Sequence, residues 1–227
     1  GQTGEHVVMF GVSDGEAVVS GAAVIFVDLA PHPVRVSIEL TPSYAVSPGD
    51  AVVIHVIADS LAEVDELGLT VDGTSLALDA QGRATVTAAT PGKVRLEATA
   101  VDADDFAGQA ATALKVLDPT DDQAPIVALS SLLARVPMSD PFDVEGRIVD
   151  RNLDEWRLEM AWHGSGDFVE IAAGETNVDG GVLAALDPAQ LRNGFYQLRL
   201  TARDVAGRVT VTEAVVEINT SDRKSVV

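Results

Sequence analysis

The sequence predicts an all-β protein built of consecutive β-sandwich modules. One strand pattern occurs three times along the 227 residues, and short apolar segments alternate with turn residues such as Asp-Gly and Gln-Gly. Segments with helical periodicity are few, which favours β-sandwiches over an α/β fold.

The repeated pattern is a glycine, then apolar residues at every second position, then an aspartate ten residues after the glycine. It covers residues 4–14, 92–102 and 194–204. Period-two alternation over this length is typical of a strand with one face in the core and one in water. A small-residue turn and a second alternating segment follow each aspartate, so every copy predicts a β-hairpin that closes a module. Each repeated aspartate is expected to cap its turn.

Proline-containing linkers divide the chain into parts. Prolines 31 and 33 mark one linker, and the polar segment 118–125 marks another. The predicted parts are an N-terminal β-hairpin with its linker, forming a partial module (1–32), two β-sandwiches of about seven strands each (33–119 and 120–220) and a flexible tail (221–227).

The charge balance excludes two classes of partner. Lys plus Arg number 15 and Asp plus Glu number 35, so the formal net charge is −20, whereas nucleic acids and anionic membranes need a basic surface. The chain has no cysteine, which excludes disulfides, thiolate metal sites and cysteine nucleophiles. No apolar run reaches the roughly 18 residues of a membrane-spanning helix, so no membrane insertion is expected.

The third copy of the pattern carries a resemblance to a known class of module. Residues 194–204, written G-F-Y-Q-L-R-L-T-A-R-D, resemble the late strand of tandem bacterial immunoglobulin-like modules (Ig, FN3 or PKD type). The stretches 146–150 and 186–204 are similar to modules of Rhs/YD-repeat proteins, although the YD repeats themselves are absent. The resemblance implies immunoglobulin-like sandwiches, an extracellular or cell-surface setting, and a spacer or recognition role.

Acidic residues near the end of the first sandwich are candidate calcium ligands. Asp102 and Asp104 follow the repeated strand, and Asp118, Asp121 and Asp122 lie in the linker. Ca²⁺ binds carboxylate oxygens, and a junction between modules is a natural place for it. The linker resembles the calcium linker of cadherins, with one extra residue and without its asparagines. The alternative is that these aspartates only cap turns and solvate the linker.

A second polar cluster lies between two strands of the second sandwich. It comprises Asp150, Asn152, Asp154 and Glu155, and Asp204 would join it if the loops share one end of the sandwich. Such a group could surround an ion, or it could be only a hydrophilic loop. The four histidines are scattered and show no zinc-binding spacing.

Aromatic residues and two short segments complete the local predictions. Trp156 and Trp162 alternate on one strand, which indicates core packing, with carbohydrate stacking as the alternative. Tyr196 is predicted to form a tyrosine corner, with its hydroxyl on upstream backbone. Helical turns are expected at 61–66 and at 187–191, where Asp187 would be the N-cap.

The sequence therefore predicts a non-catalytic structural, spacer or interaction segment of a larger exported bacterial protein. The alternative is an adhesin or carbohydrate-binding module, stabilised by Ca²⁺ or without it. No enzyme activity and no cofactor other than Ca²⁺ are predicted, because the carboxylates lie in turns rather than in a cleft. The expected partners are other domains of the parent protein, a protein or glycan surface, and a second copy of the chain through the N-terminal hairpin, which could leave unpaired strand edges.

Overall fold

The computed structural model describes residues 4–27, 33–134 and 136–220. The first described element is a hairpin of strands β1 (Gly4–Ser13) and β2 (Val18–Val27). The two strands pair antiparallel over ten residues, from Gly4 opposite Val27 to Ser13 opposite Val18. The predicted hairpin is therefore present, whereas residues 28–32 of its linker lie outside the described residues.

The first module is a sandwich of a three-stranded and a four-stranded antiparallel sheet. Its strands are β3 (Arg35–Thr41), β4 (Ala51–Asp59), β5 (Val64–Val71), β6 (Thr74–Ser75), β7 (Arg83–Thr87), β8 (Gly92–Asp102) and β9 (Ala107–Val116). One sheet has the order β3-β4-β7 and the other the order β6-β5-β8-β9. Apolar side chains between the two sheets, including Ile54, Leu69 and Leu96, form its core.

The second module repeats this arrangement strand for strand. Its strands are β10 (Ile126–Leu129), β11 (Phe142–Val149), β12 (Leu153–Trp162), β13 (Val169–Gly174), β14 (Val178–Leu186), β15 (Gly194–Asp204) and β16 (Val209–Ile218). The sheet orders are β10-β11-β14 and β13-β12-β15-β16, and a second core includes Leu158, Leu198 and Leu200. The predicted all-β fold of tandem immunoglobulin-like sandwiches with an N-terminal hairpin is confirmed.

In the two sandwiches, the structure explains the apolar residues and the opening glycine of the repeated pattern. The alternating apolar residues point into the cores, where Leu96 and Leu198 are 0% exposed. The opening glycines, Gly92 and Gly194, have φ values of 112° and 146°, a region that residues with a Cβ rarely adopt.

The closing aspartates cap their turns, as predicted. Asp14 Oδ1 accepts hydrogen bonds from the N–H groups of Glu16 and Ala17, at 2.9 and 2.8 Å. Asp102 Oδ1 accepts in the same way from Asp104 and Phe106. These bonds satisfy turn N–H groups that would otherwise face water or the protein interior.

One local prediction differs from the structure. The segment 61–66 forms no helical turn, because β5 begins at Val64 and pairs antiparallel with β8, starting with Val64 opposite Asp102. Strand β6 is limited to Thr74–Ser75, although Leu76 and Leu78 beyond it still pack on the core. A short 3₁₀ helix at Ser131–Ala134 was not predicted from sequence.

The other local predictions are confirmed, except that only one of the two tryptophans predicted for the core is buried. Asp187 caps a 3₁₀ helix at Pro188–Gln190 by accepting the N–H of Ala189 at 2.9 Å. The Tyr196 hydroxyl accepts a hydrogen bond from the upstream N–H of Arg192 at 3.1 Å. Trp156 is buried in the second core, and Trp162 is 47% exposed at the end of the same strand. Among the described residues, neither 3₁₀ helix nor any other helix is long and apolar enough to cross a bilayer.

Candidate functional site

The linker between the two sandwiches is held by side chains of the second module. The Asn152 amide, in the loop before β12, donates to the carboxylates of Asp121 at 2.9 Å and Asp118 at 3.4 Å. Arg151 lies beside it, with its Nε 3.4 Å from Asp118 and its Nη1 donating to the Thr120 hydroxyl. The linker is thus hydrogen-bonded along its length, rather than only solvated.

Arg208 connects the linker to the buried end of β15. Its Nε donates to Asp204 Oδ2 at 2.6 Å, and its own N–H donates to Asp204 Oδ1 at 2.7 Å. Its Nη1 donates to the backbone oxygen of Asp121 at 2.7 Å, and its Nη2 lies 3.6 Å from the Asp121 carboxylate. The hydrogen bond that Arg208 donates to Asp204 raises the pKa of the guanidinium above its usual value, with further contributions from the charges of Asp204 and Asp121. One guanidinium therefore joins the repeated aspartate to the linker.

Two lysines of the first module reach directly to the second module. Lys115 Nζ lies 2.5 Å from Asp154 Oδ2, and this carboxylate is buried. Lys93 Nζ donates to the Asp154 backbone oxygen at 2.6 Å and to Glu175 Oε2 at 2.7 Å. The pKa of Glu175 is held below its usual value by the hydrogen bond from Lys93 and by the lysine's charge. These bonds cross the junction without involving the linker.

Three carboxylates meet at the centre of the junction. Oxygens of Asp121, Asp150 and Asp204 all lie within 4.8 Å of one another. Burial raises the pKa of Asp150 above its usual range, and the charges of Asp121 and Asp204 raise it further. The N–H of Asn152 donates to Asp150 Oδ1 at 2.7 Å and opposes the shift. The cluster holds more negative charge than Arg208 alone neutralises.

The structure separates the five aspartates that the sequence offered as metal ligands. Asp102 and Asp104 lie at the turn of the β8–β9 hairpin, and Asp118 follows the far end of β9. A strand of this length spans about 30 Å at roughly 3.3 Å per residue, so the five cannot form one site. Hydrogen bonds from the side chain and the N–H of Thr120 hold the pKa of Asp118 below its usual value.

Asp102 is hydrogen-bonded within the first module. The Ser60 hydroxyl donates to Asp102 Oδ2, and this bond, with two turn N–H groups, lowers the pKa of Asp102. Asp122 receives the Gln123 side-chain amide at 2.5 Å. Of the five predicted ligands, only Asp121 belongs to the three-carboxylate cluster.

The second predicted cluster is brought together in part. Asp150 and Asn152 do meet Asp204 at one end of the second sandwich. Asp154 points instead to Lys115 of the first module, and Glu155 lies 3.4 Å from Arg157 on its own strand. Sequence reasoning missed Lys93, Lys115 and Arg208. Their only signal was that cations are scarce in this acidic chain.

The aromatic residues described in the second module do not form a shared stacking platform. Trp162 pairs across strands with Tyr196 and contacts it edge-on, with ring centroids 5.2 Å apart. Phe195 is the neighbouring residue on β15, so it points to the opposite face of the sheet. Phe168 is covered by the Arg199 guanidinium, 3.7 Å from the ring centroid. Trp162 and Phe195 therefore cannot bind one sugar chain together.

Comparison with solved structures finds tandem β-modules at low sequence identity. The fibronectin(III)-like modules of Clostridium thermocellum CbhA align over 84% of this chain and 97% of theirs, at 16% identity and TM-score 0.37. A tetra-tandem repeat from the extending region of a large adhesion protein aligns over 96% of this chain and 57% of its own length, at 19% identity and TM-score 0.32. The N-terminal two-immunoglobulin module of a Drosophila receptor protein tyrosine phosphatase aligns over 83% of this chain and all of its own, at 9% identity and TM-score 0.32.

No protein-family model matches the chain, and no curated protein matches it either. The chain spans a little over half of the adhesion-protein repeat. Similarities of this size assign no activity or partner. The immunoglobulin-like fold rests on the sheets and cores described above.

Proposed function

We propose that this chain is a non-catalytic spacer segment of a larger exported bacterial protein, in which the two sandwiches are held end to end as one semi-rigid unit. The observation that carries the proposal is the junction, where the second module is hydrogen-bonded both to the linker and to the first module. Asn152 and Arg208 bind the linker, while Lys93 and Lys115 bridge the sandwiches. An exported setting and a parent of the Rhs type are parts of the same proposal and rest on the sequence resemblance.

The junction suits a spacer because its bonds lie on different sides of the linker and together oppose bending between the modules. Bending the modules about the linker would break the lysine bonds on one side or the Arg208 and Asn152 bonds on another. Several charge-assisted bonds at separate places in the junction resist bending better than an isolated surface pair, which contributes little. The large negative charge also keeps such a segment soluble and apart from like-charged surfaces.

The proposal predicts a narrow distribution of distances between the modules. The chain has no cysteine, so Ser75→Cys and Ser165→Cys provide two unique spin-label sites, both exposed and one in each module. Pulsed electron paramagnetic resonance should give a single narrow distance peak. Adding Asn152→Ala removes the amide bonds to Asp118 and Asp121 and should broaden the peak.

The matched control is Gln197→Ala. This amide also donates to a carboxylate, Glu213 at 2.8 Å, but within one sheet of the second module. The control should leave the distance distribution unchanged. A distribution that is already broad in the unsubstituted protein would refute a semi-rigid unit.

A second candidate role for the junction is a divalent-cation site that strengthens the same unit. The observation that favours it is the approach of Asp121, Asp150 and Asp204 within 4.8 Å, because Ca²⁺ takes about six to eight oxygen ligands. The donor set fits in part: the carboxylates are suitable, but Arg208 already occupies one side of Asp121 and Asp204. A cation would have to share these two carboxylates with the guanidinium.

Asp150→Asn tests the electrostatics of this cluster. The raised pKa of Asp150 means that the folded protein holds this proton at a pH where the unfolded chain has lost it. The ionised side chain therefore lowers stability as pH rises from about the unfolded pKa through the folded pKa, and the effect persists above it. Asparagine carries no charge and can still accept the N–H of Asn152, so the variant should melt at a higher temperature at neutral pH. The gain should vanish in acid, where Asp150 is itself protonated.

The control and the calcium arm use the same melting curves. Asp118 has a lowered pKa, so Asp118→Asn should lose stability at neutral pH instead of gaining it. If the cluster binds Ca²⁺, calcium chloride should raise the melting temperature of the unsubstituted protein and have little effect on Asp150→Asn. An unchanged melting temperature in calcium would exclude the cation role and leave the spacer proposal intact.

A further inference from the structure

The hairpin β1–β2 exposes apolar side chains on both of its faces. Ten large apolar residues of the hairpin are between 46% and 77% exposed: Val7, Val8, Met9, Phe10, Val12, Val18, Val19, Val24, Ile25 and Phe26. An isolated two-stranded hairpin is marginal in water, and a contiguous apolar patch of this kind marks an interaction surface.

The two later copies of the hairpin show which face should be covered. Val8 occupies the same position of the repeat as Leu96 and Leu198. Those leucines are completely buried under the opposing three-stranded sheets, whereas Val8 is 46% exposed. The face bearing Val8 and Phe10, here called the inner face, is therefore shaped as a core surface. The Phe10 ring lies directly over Gly21, where an added Cβ would meet it at 2.7 Å, so this face is already closely packed across the two strands.

Within the described residues, the hairpin forms a two-stranded sheet of its own, and β1 is one of its edge strands. Strands β8 and β15 each pair on their outer side with a further strand, β5 and β12. No described residue pairs with the corresponding side of β1. Edge strands of the modules carry charges that discourage pairing, such as Glu39 in β3 and Glu213 in β16.

Charge indicates which partner fits the hairpin. The chain carries a net charge of −20, but residues 7–13 and 17–27 contain no ionisable side chain. Two copies of so acidic a chain repel one another over most of their surfaces. At the hairpins, however, they can meet without opposing carboxylates, because Glu5, Asp14 and Glu16 lie at the hairpin ends.

We propose that β1–β2 is a self-association surface, through which two copies of this chain pack the inner faces of their hairpins together. The hairpin of the second copy covers Val8 of the first, as the three-stranded sheets of the two modules cover Leu96 and Leu198. Because both copies use the same face, the contact is closed and two-fold symmetric, and it gives a dimer rather than a filament.

Light scattering after size exclusion tests the proposal on the full chain. As the protein concentration is raised, the measured mass of the unsubstituted protein should approach that of two 23.7 kDa chains. Phe10→Glu puts a charge on the inner face and should give only the monomer. Met9→Glu puts the same charge on the outer face, where Met9 is 77% exposed, and should remain dimeric. Added salt should favour the dimer, because it screens the repulsion between the acidic modules.

Three results would overturn the proposal. The first is a monomer at every concentration, which would mean that the hairpin does not bind a second copy of the chain. The second is a dimer that persists in Phe10→Glu. The third is a dimer that Met9→Glu dissociates, since this would place the contact on the outer face. Unchanged melting of the two sandwiches in both variants verifies that only the hairpin was altered.

Discussion

Leu198→Ala is expected to destabilise the second sandwich by about 2–5 kcal/mol, the range for a fully buried leucine truncated to alanine. Leu198 is 0% exposed. Its removal would leave a cavity between the two sheets, and the strand pairing within each sheet limits how far they can move together to fill it. Both tryptophans of the chain, Trp156 and Trp162, lie in this module. Tryptophan fluorescence in a denaturant titration therefore reports the unfolding of the second sandwich selectively.

The repeat supplies matched controls for this experiment. Leu96→Ala removes the equivalent side chain from the first core and should lower the circular-dichroism transition of that module without moving the fluorescence midpoint. Val8→Ala, at the same position of the hairpin, should change neither transition, because Val8 contributes to no module core. A fluorescence midpoint that Leu198→Ala leaves unchanged would contradict the assignment of this strand to the core.

The fold was predictable because its signal is local and repeated. Alternation between core and solvent faces has period two, and the positive φ at Gly194 requires a glycine where the strand begins. The turn N–H groups that Asp102 accepts lie within four residues of it. The failed prediction has the opposite cause. In the segment 61–66, tertiary pairing with β8 decided the conformation rather than local propensity.

The junction was predictable only in part because its members are distant in sequence. Asp121, Asp150 and Asp204 come from the linker, the loop before β12 and the end of β15, and their approach depends on how one sandwich end faces the other. The sequence suggested Asp150 with Asp204, since both could lie at one end of the same sandwich. It gave no reason to pair Lys115 with Asp154, which lie in different modules.

Asp204→Ala is expected to have the second-largest effect and to affect both stability and geometry. Asp204 is 0% exposed and accepts two hydrogen bonds from Arg208, one from its backbone and one from its side chain. Removing a charged acceptor in such a place costs about 2–3 kcal/mol, so the fluorescence midpoint of the second sandwich should fall.

The same substitution should also broaden the distance distribution between the spin labels, because Arg208 loses the anchor from which it holds Asp121. Asp102→Ala is the matched control, since Asp102 occupies the same position of the repeat but bonds only to its own turn and to Ser60. It should weaken the first sandwich and leave both the fluorescence midpoint and the distance peak unchanged. If Asp204→Ala lowers stability but keeps the peak narrow, then Arg208 is not what fixes the linker. The bonds from Asn152 to the linker and from the lysines to Asp154 and Glu175 would then be enough to hold the modules. The equivalent aspartates Asp102 and Asp204 thus distinguish two roles. Asp102 stabilises only its own sandwich, whereas Asp204 also helps to join the two sandwiches through Arg208.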